Sequence, residues 1–255
     1  MSLVDVLRAV AFVHLFRREG QEAQAQAEAL QSLAQEHGFT FWLGLGTSQR
    51  GWALIGRAAQ LGAPEQRKAG LVQLREGLVA MRATEAELWI PLFLGALAQG
   101  YGQDGQAEEG LKVIAEALAM VEKNEERWYE AELYRLRGEL TLAQSRVQSL
   151  GSRVKTSQKA KGKAQKSKVG TDPRPLTPNP QGEAEACFLK AIAIAQKQQA
   201  KSLELRAVMS LARLWRQQGK RTEAHQMLSE IYNWFTEGFD TKDLQEAKIL
   251  LEELS

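Results

Sequence analysis

One stretch of the chain matches the spacing G-x-G-x-x-G, with which many proteins bind a dinucleotide: residues 100–105 (GYGQDG). That chemistry needs a strand before the first glycine and a helix beginning at the last, whose amide groups meet the pyrophosphate. Here the residues before the motif recur at helical spacing, with Leu94, Leu97 and Tyr101 on one face. We therefore predict a turn between two helices and no nucleotide site.

The other reactive residue types also lack a chemical setting. Residues 219–222 (GKRT) resemble a phosphate-binding loop, but Leu214 stands where that loop needs a glycine and Arg221 where it needs a hydroxyl. The single cysteine, Cys187, lies beside Phe188 on an apolar helix face, which favours a buried structural role over a nucleophile. The three histidines are too far apart for local metal-ligand spacing: His14, His37 and His225. The sequence predicts no catalytic residue, no cofactor, no metal site and no enzyme activity.

The elements that would position any site form a repeat. Residues 88–121 contain two apolar runs at helical spacing with a glycine-rich turn between them, which predicts a helix, a turn and a second helix. The order of small and large residues resembles a tetratricopeptide (TPR) repeat, in which small residues let two antiparallel helices approach closely. One such pair cannot bury its apolar face alone, so copies are expected. Equivalent small positions occur five times, at Val13, Gly51, Ala98, Gly138 and Ala212.

We accordingly predict an all-α fold, a TPR-like helical-hairpin solenoid (an α–α superhelix) of about five helix pairs and a C-terminal capping helix. Residues 1–149 would hold repeats 1–3 and the first helix of repeat 4. Residues 150–182 would be an insertion, and residues 183–255 would hold the second helix of repeat 4, repeat 5 and the cap. Gly20 is predicted to close the first helix, where the equivalent turns have Gly105 and Gly219.

The net charge of +2 conceals a basic, proline-rich segment. Residues 151–180 contain eight lysines and arginines against one aspartate, and we predict a disordered tether there. Since it has no aromatic side chain to stack on bases, any nucleic-acid binding would be non-specific; a helical-repeat nucleic-acid binder is an alternative that we rank below a solvated linker. No apolar run is long enough to span a membrane, and a lone cysteine suits a cytoplasmic protein.

The inner helices of a TPR-like solenoid line a concave groove, and such grooves bind peptides or partner helices. Aromatic and arginine side chains are the usual anchors at protein interfaces. The alternative for each position is ordinary solvated surface. The groove-facing positions of the repeat fall on eight residues: His14, Arg17, Trp52, Gln99, Arg135, Glu139, Arg213 and Arg216. We predict a protein or peptide partner for this groove.

Several strings narrow the resemblance further, among them ERWYEAELYRLRGEL at residues 126–140 and YNWFTEGFDTKDLQEAK at residues 232–248. They resemble the C-terminal repeat region of bacterial signalling proteins that join a class III adenylate or guanylate cyclase, or a kinase, to an AAA-like ATPase. The resemblance implies a regulatory or sensor arm, whose partners would include a cyclase or ATPase polypeptide. Because this chain has no phosphate loop and no cyclase-like aspartate pair, it would be a regulatory subunit or a detached tail of such a protein.

Overall fold

The computed structural model describes residues 2–159 and 179–255 (for residues 149–159, the backbone alone) and consists over these ranges of eleven α-helices and one 3₁₀ turn. The helices are α1 (Leu3–Arg17), α2 (Gly20–His37), α3 (Thr40–Leu61), α4 (Pro64–Arg82), α5 (Ile90–Gln103), α6 (Ala107–Asn124), α7 (Glu130–Lys159), α8 (Pro180–Lys197), α9 (Lys201–Gln217), α10 (Arg221–Tyr232) and α11 (Lys242–Leu254), and the 3₁₀ turn is Arg127–Tyr129.

The predicted all-α fold of five helix pairs and a terminal helix is confirmed. Helix α1 packs on α2, α3 on α4, α5 on α6, α7 on α8 and α9 on α10, and α11 packs on both helices of the last pair. Each pair also packs on the next through its second helix, as α2 does on α3 and α8 on α9. A chain in which every pair contacts its sequence neighbours is a solenoid.

The pair α3 and α4 shows how small residues bring two helices together. A Cβ atom added to Gly51 would lie 2.6 Å from the backbone nitrogen of Leu74, and one added to Gly70 would lie 2.8 Å from the carbonyl oxygen of Gly51. A side chain at either position would therefore push the two backbones apart. The fourth pair uses the same device, because Gly138 of α7 lies directly against the ring of Phe188 on α8.

The buried apolar side chains form two clusters that meet at α7. The first cluster extends from α1 to α7 and includes Phe93, Leu133 and Leu140. The second extends from α8 to α11, around Phe188 and Leu211, with partly buried side chains of α7 packed against it. Helix α7 is therefore the element that joins the two halves of the solenoid.

The turn after α1 differs from the one we predicted. Helix α1 ends at Arg17, and Arg18 takes the left-handed conformation, with φ 62°, that Gly62, Gly105 and Gly219 take at the turns within three other pairs. Gly20 is instead the first residue of α2. It is glycine because of packing, since a Cβ atom there would lie 2.5 Å from Cγ of Arg57 and 3.2 Å from the carbonyl oxygen of Ala53.

The helices on either side of the predicted insertion, residues 150–182, extend into its range. Helix α7 continues to Lys159, because a polar composition does not by itself end a helix. At the other side Asn179 caps α8, with its side-chain oxygen accepting a hydrogen bond of 3.2 Å from the backbone N–H of Gly182. The rest of the predicted disordered segment, residues 160–178, lies outside the described residues.

Candidate partner-binding groove

The first helix of each of the five pairs, α1, α3, α5, α7 and α9, borders a common cavity of about 440 Å³, which α11 closes on one side. We call this space the polar cavity. Five of the eight predicted groove residues line it: Trp52, Gln99, Arg135, Glu139 and Arg213. The repeat register thus brings together side chains from α3, α5, α7 and α9, although their role in binding stays a prediction.

The other three predicted residues lie elsewhere. His14 places its Nδ1 atom 2.7 Å from a carboxylate oxygen of Glu19, and Arg17 bonds the second oxygen of Glu19 at 2.7 Å. Arg216 pairs with Glu253 at the end of α11. His14, Arg17 and Arg216 thus pair with carboxylates near the ends of the solenoid. The predicted groove positions were taken from repeats in the middle of an array, which have no such terminal carboxylates.

Trp52 was predicted to be a groove anchor, but the structure places it in the core, with 7% of its surface exposed. Its ring centroid lies 5.8 Å from that of Phe16 on α1 and 6.4 Å from that of Phe93 on α5, both in edge-to-face arrangement. Such pairs stabilise a fold beyond the area they bury. Trp52 therefore holds α1 against α3 and α5, although it also lines the polar cavity.

Arg135 is also held inside the protein. Its Nε and Nη2 atoms donate to the two carboxylate oxygens of Glu132 at 2.8 and 2.7 Å, and its Nη1 atom lies 2.6 Å from Oε1 of Glu139. Burial alone would raise the pKa of Glu132, but the charges of Arg135 and Arg206 outweigh it and hold that pKa below its ordinary range. Arg135 thus stabilises the wall of the cavity instead of presenting a free cation to a partner.

A second group of ion pairs connects α9, α11 and the end of α1. Arg206 donates through Nε to Asp243 at 2.6 Å and through Nη2 to the carbonyl oxygen of Phe16 at 2.7 Å. Arg18 lies 3.2 Å from Asp243 and 2.7 Å from Glu246. Since both carboxylates also accept from α9, one network of charges links the first repeat to the terminal helix.

The charges that line the polar cavity are balanced. Each arginine has at least one carboxylate within 3.4 Å, and the set consists of Arg18, Arg135, Arg206 and Arg213 with Glu132, Glu139, Asp243 and Glu246. Gln99 and Gln103 line the cavity outside this network. The wall therefore offers neutral amide groups and little net charge to a ligand.

Among solved structures, the chain is similar over most of its length to a crystal structure of a Podosopora anserina putative kinesin light chain with nearly identical TPR-like repeats. The two share 14% sequence identity over 91% of this chain and 95% of that one, with a TM-score of 0.53. The fold is TPR-like. At this identity the similarity shows the fold alone. No protein-family model and no curated protein matches the sequence.

Beside the polar cavity, the TPR-like solenoid has a second cavity of about 480 Å³, which we call the apolar cavity. Its walls include Phe16, Trp128, Leu203, Phe235 and Leu244, from the beginning, the middle and the last quarter of the chain. The side chains that line both cavities and so stand between them are Tyr129, Arg206 and Asp243. Sequence reasoning missed the apolar cavity because its walls come from repeats that are distant in the chain.

The motifs that resembled nucleotide-binding or reactive sites in the sequence take structural roles in the TPR-like fold. Residues 100–105 end α5 and form the turn to α6, where Asp104 accepts a hydrogen bond of 3.1 Å from Arg67, so the predicted turn between two helices is confirmed. Gly219 forms the turn between α9 and α10 with φ 82°. Cys187 is half-buried, and this burial raises the pKa of its thiol. In residues 2–159 and 179–255, no group of three or more His, Cys, Asp or Glu side chains could hold a metal ion.

Among the helices that the structure describes, none is both long enough and apolar enough to cross a lipid bilayer.

Proposed function

We propose that this TPR-like chain is a non-catalytic protein-interaction module that binds a peptide or helix of a partner protein in its concave groove. The observation that supports this proposal is the polar cavity, which side chains from the first helices of all five pairs border. A site assembled from every repeat can follow an extended ligand over several residues, which is how solenoids bind their partners.

Recognition in this groove would rely on side chains that the fold leaves accessible. Gln99 and Gln103 each carry an amide group that can donate to and accept from a peptide backbone. Arg213 is 40% exposed and its contact with Glu246 is long, 3.4 Å, so a partner carboxylate can compete for it. The apolar cavity next to the groove would take an aromatic or aliphatic side chain of the ligand.

The biological setting that we propose is a cytoplasmic bacterial signalling system, in which the chain acts as a regulatory or sensor arm. The partner would include a cyclase or ATPase polypeptide, and the chain would be its regulatory subunit or its detached tail. What supports this setting is the resemblance of residues 126–140 and 232–248 to the repeat region of cyclase–ATPase fusion proteins.

Two arginines on α9 provide a matched test. Arg213 lines the polar cavity, whereas Arg216, three residues later, lies outside its lining and pairs with α11. Three tagged forms would be used for affinity capture from a bacterial extract: the wild-type chain, the double variant Gln99→Glu/Arg213→Ala, and Arg216→Ala. We expect a partner to be retained by wild type and by Arg216→Ala, and to be lost by the double variant.

The captured protein would then be purified and its affinity for the same three forms measured by calorimetry. A drop of tenfold or more for the double variant alone would locate binding in the groove, because each tenfold change is about 1.4 kcal/mol of lost contact. Equal affinity for all three forms would place the binding surface elsewhere and refute the proposal.

A further inference from the structure

The two ends of the solenoid touch each other across the concave groove. We call these contacts the clasp, and its members are the backbone carbonyl of Phe16, Arg17 and Arg18 on the side of α1, and Arg206, Asp240, Lys242, Asp243 and Glu246 on the side of α9 and α11. Two of the contacts satisfy carbonyl oxygens at the end of α1. Arg206 donates to Phe16 at 2.7 Å, and Lys242 donates to Arg18 at 3.1 Å.

The clasp joins two hydrophobic clusters that share no apolar core at this point. Helix α1 belongs to the first cluster, whereas α9 and α11 belong to the second. The clasp contacts between them are ion pairs and hydrogen bonds, among them Arg17 to Asp240 at 2.9 Å and Arg18 to Glu246 at 2.7 Å. Charged contacts that are partly exposed weaken in salt, whereas buried apolar contacts do not.

The backbone at Arg18 adopts a conformation that four other non-glycine residues of the described ranges also adopt: Glu85, Trp89, Glu125 and Gln199. Arg18 has φ 62°, a left-handed conformation that an L-residue adopts at a cost and that glycine adopts freely. Three of the corresponding turns have glycine there: Gly62, Gly105 and Gly219. Of these four turns, the turn after α1 is the one without glycine, and its Arg18 side chain pairs with Asp243 and Glu246 on α11. The arginine at this turn is thus costly for the backbone and useful for the clasp.

The clasp also separates the two cavities. Arg206 and Asp243 are members of the clasp, and both line the polar cavity on one side and the apolar cavity on the other. Moving α11 away from α1 would take Asp243 out of this partition and widen the passage between the two cavities, while Tyr129 and Arg206 of α9 stay in place.

We propose that the clasp is an electrostatic gate, which holds the ends of the solenoid together and opens to give a partner access to a wider groove. The opening is a property of the chain alone, whereas its regulatory role rests on the proposed function. A partner that binds the open groove more tightly than the closed one would shift the chain toward the open state.

Hydrogen exchange measured by mass spectrometry on the full chain tests the gate. The variant Arg18→Gly removes the bridging cation and at the same time relieves the left-handed backbone, so the variant is expected to fold. We expect the amides of residues 240–250 to exchange about tenfold faster in this variant, with α3 and α4 unchanged. Arg18→Lys retains the charge and should accelerate exchange less. The matched control is Arg82→Ala, which breaks an ion pair with Glu116 between neighbouring helices.

Salt provides a second, independent perturbation. Raising NaCl from about 0.1 M to about 1 M shortens the Debye length from about 10 Å to about 3 Å, and it should accelerate exchange at residues 240–250 in wild type more than in Arg18→Gly. Three results would overturn the gate. Exchange at residues 240–250 could be unchanged in Arg18→Gly, it could be accelerated as much by Arg18→Lys as by Arg18→Gly, or the acceleration could be spread evenly over all helices. Because no partner is present, this result is independent of the comparison between Arg213 and Arg216.

Discussion

Because α3 packs closely on α4, we expect alanine substitutions at two glycines of α3 to change the stability of the protein in opposite directions. Gly51 faces α4, and the three atoms nearest to an added Cβ are all backbone: the nitrogen of Leu74 at 2.6 Å, the carbonyl oxygen of Gly70 at 2.8 Å and the Cα of Leu74 at 2.9 Å. Gly56, five residues later, has no atom within 4 Å of an added Cβ. We therefore expect Gly51→Ala to destabilise the protein and Gly56→Ala to stabilise it.

The magnitudes follow from two opposing contributions. Alanine is about 1 kcal/mol more favourable than glycine inside a helix, and both variants receive this gain. At Gly56 nothing opposes it, so we expect a stabilisation of about 0.5–1 kcal/mol. At Gly51 the methyl group must displace a backbone segment, and overpacking costs about 1–3 kcal/mol. Because backbone cannot swing aside as a side chain does, we take the upper end and expect a net loss of about 2 kcal/mol.

Thermal unfolding followed by far-ultraviolet circular dichroism is a sufficient assay. For a chain of this size, 1 kcal/mol shifts Tm by roughly 2–4 °C. Gly56→Ala should raise Tm by about that amount, and Gly51→Ala should lower it by roughly 4–8 °C. Gly70→Ala gives an internal check, because its added Cβ would meet the same helix crossing from the other side, 2.8 Å from the carbonyl oxygen of Gly51.

The outcome that would refute this reasoning is a shift of the same sign in Gly51→Ala and Gly56→Ala. A Tm of Gly51→Ala at or above that of wild type would mean that the two helices are farther apart in solution. A loss of stability in Gly56→Ala would mean that the open space at Gly56 is filled.

Two further changes test the buried contacts by urea unfolding. Arg135→Ala leaves Glu132 buried without its bidentate partner, and we expect a loss of about 3–5 kcal/mol. Although burial alone would raise the pKa of Glu132, the charges of Arg135 and Arg206 hold it below the usual value of about 4.3. The ion pair of Glu132 with Arg135 therefore contributes its full stability to wild type above about pH 4.3. This stability is lost as the pH falls through the lowered pKa of Glu132. Phe188→Ala empties a fully buried site and should cost about 3–5 kcal/mol, whereas the exposed neighbour Leu189→Ala should change stability by less than about 0.5 kcal/mol.

The helix pairs could be predicted because each leaves a local signature. Small residues occur where two helices cross, as at Gly51 and Gly138, and apolar residues follow at helical spacing, so a window of about 40 residues contains the information for one pair. The boundaries were less predictable. A turn glycine and a packing glycine look alike in sequence, which is why Gly20 was assigned to the wrong role.

The walls of the groove were predicted in part. The five residues that line the polar cavity follow from the repeat register, but the register does not say which of them the fold itself uses. The spacing of Glu132, Arg135 and Glu139, three and four residues apart on one face of α7, is a local signal that Arg135 could be paired within its own helix. Applied to the sequence alone, this rule would have removed Arg135 from the list of free anchors.

The clasp could not be predicted, and the reason is geometric. Arg206 and Phe16 are 190 residues apart, and Arg18 and Asp243 are 225 residues apart. Whether such partners meet depends on the small rotation between successive pairs, which accumulates over the whole solenoid. A slightly different rotation at each pair would carry Arg18 past Asp243. The closure of the groove is therefore sensitive to packing at every repeat interface. A substitution such as Gly51→Ala, which is in α3 and outside the clasp, should then speed hydrogen exchange at residues 240–250 as well as lower Tm.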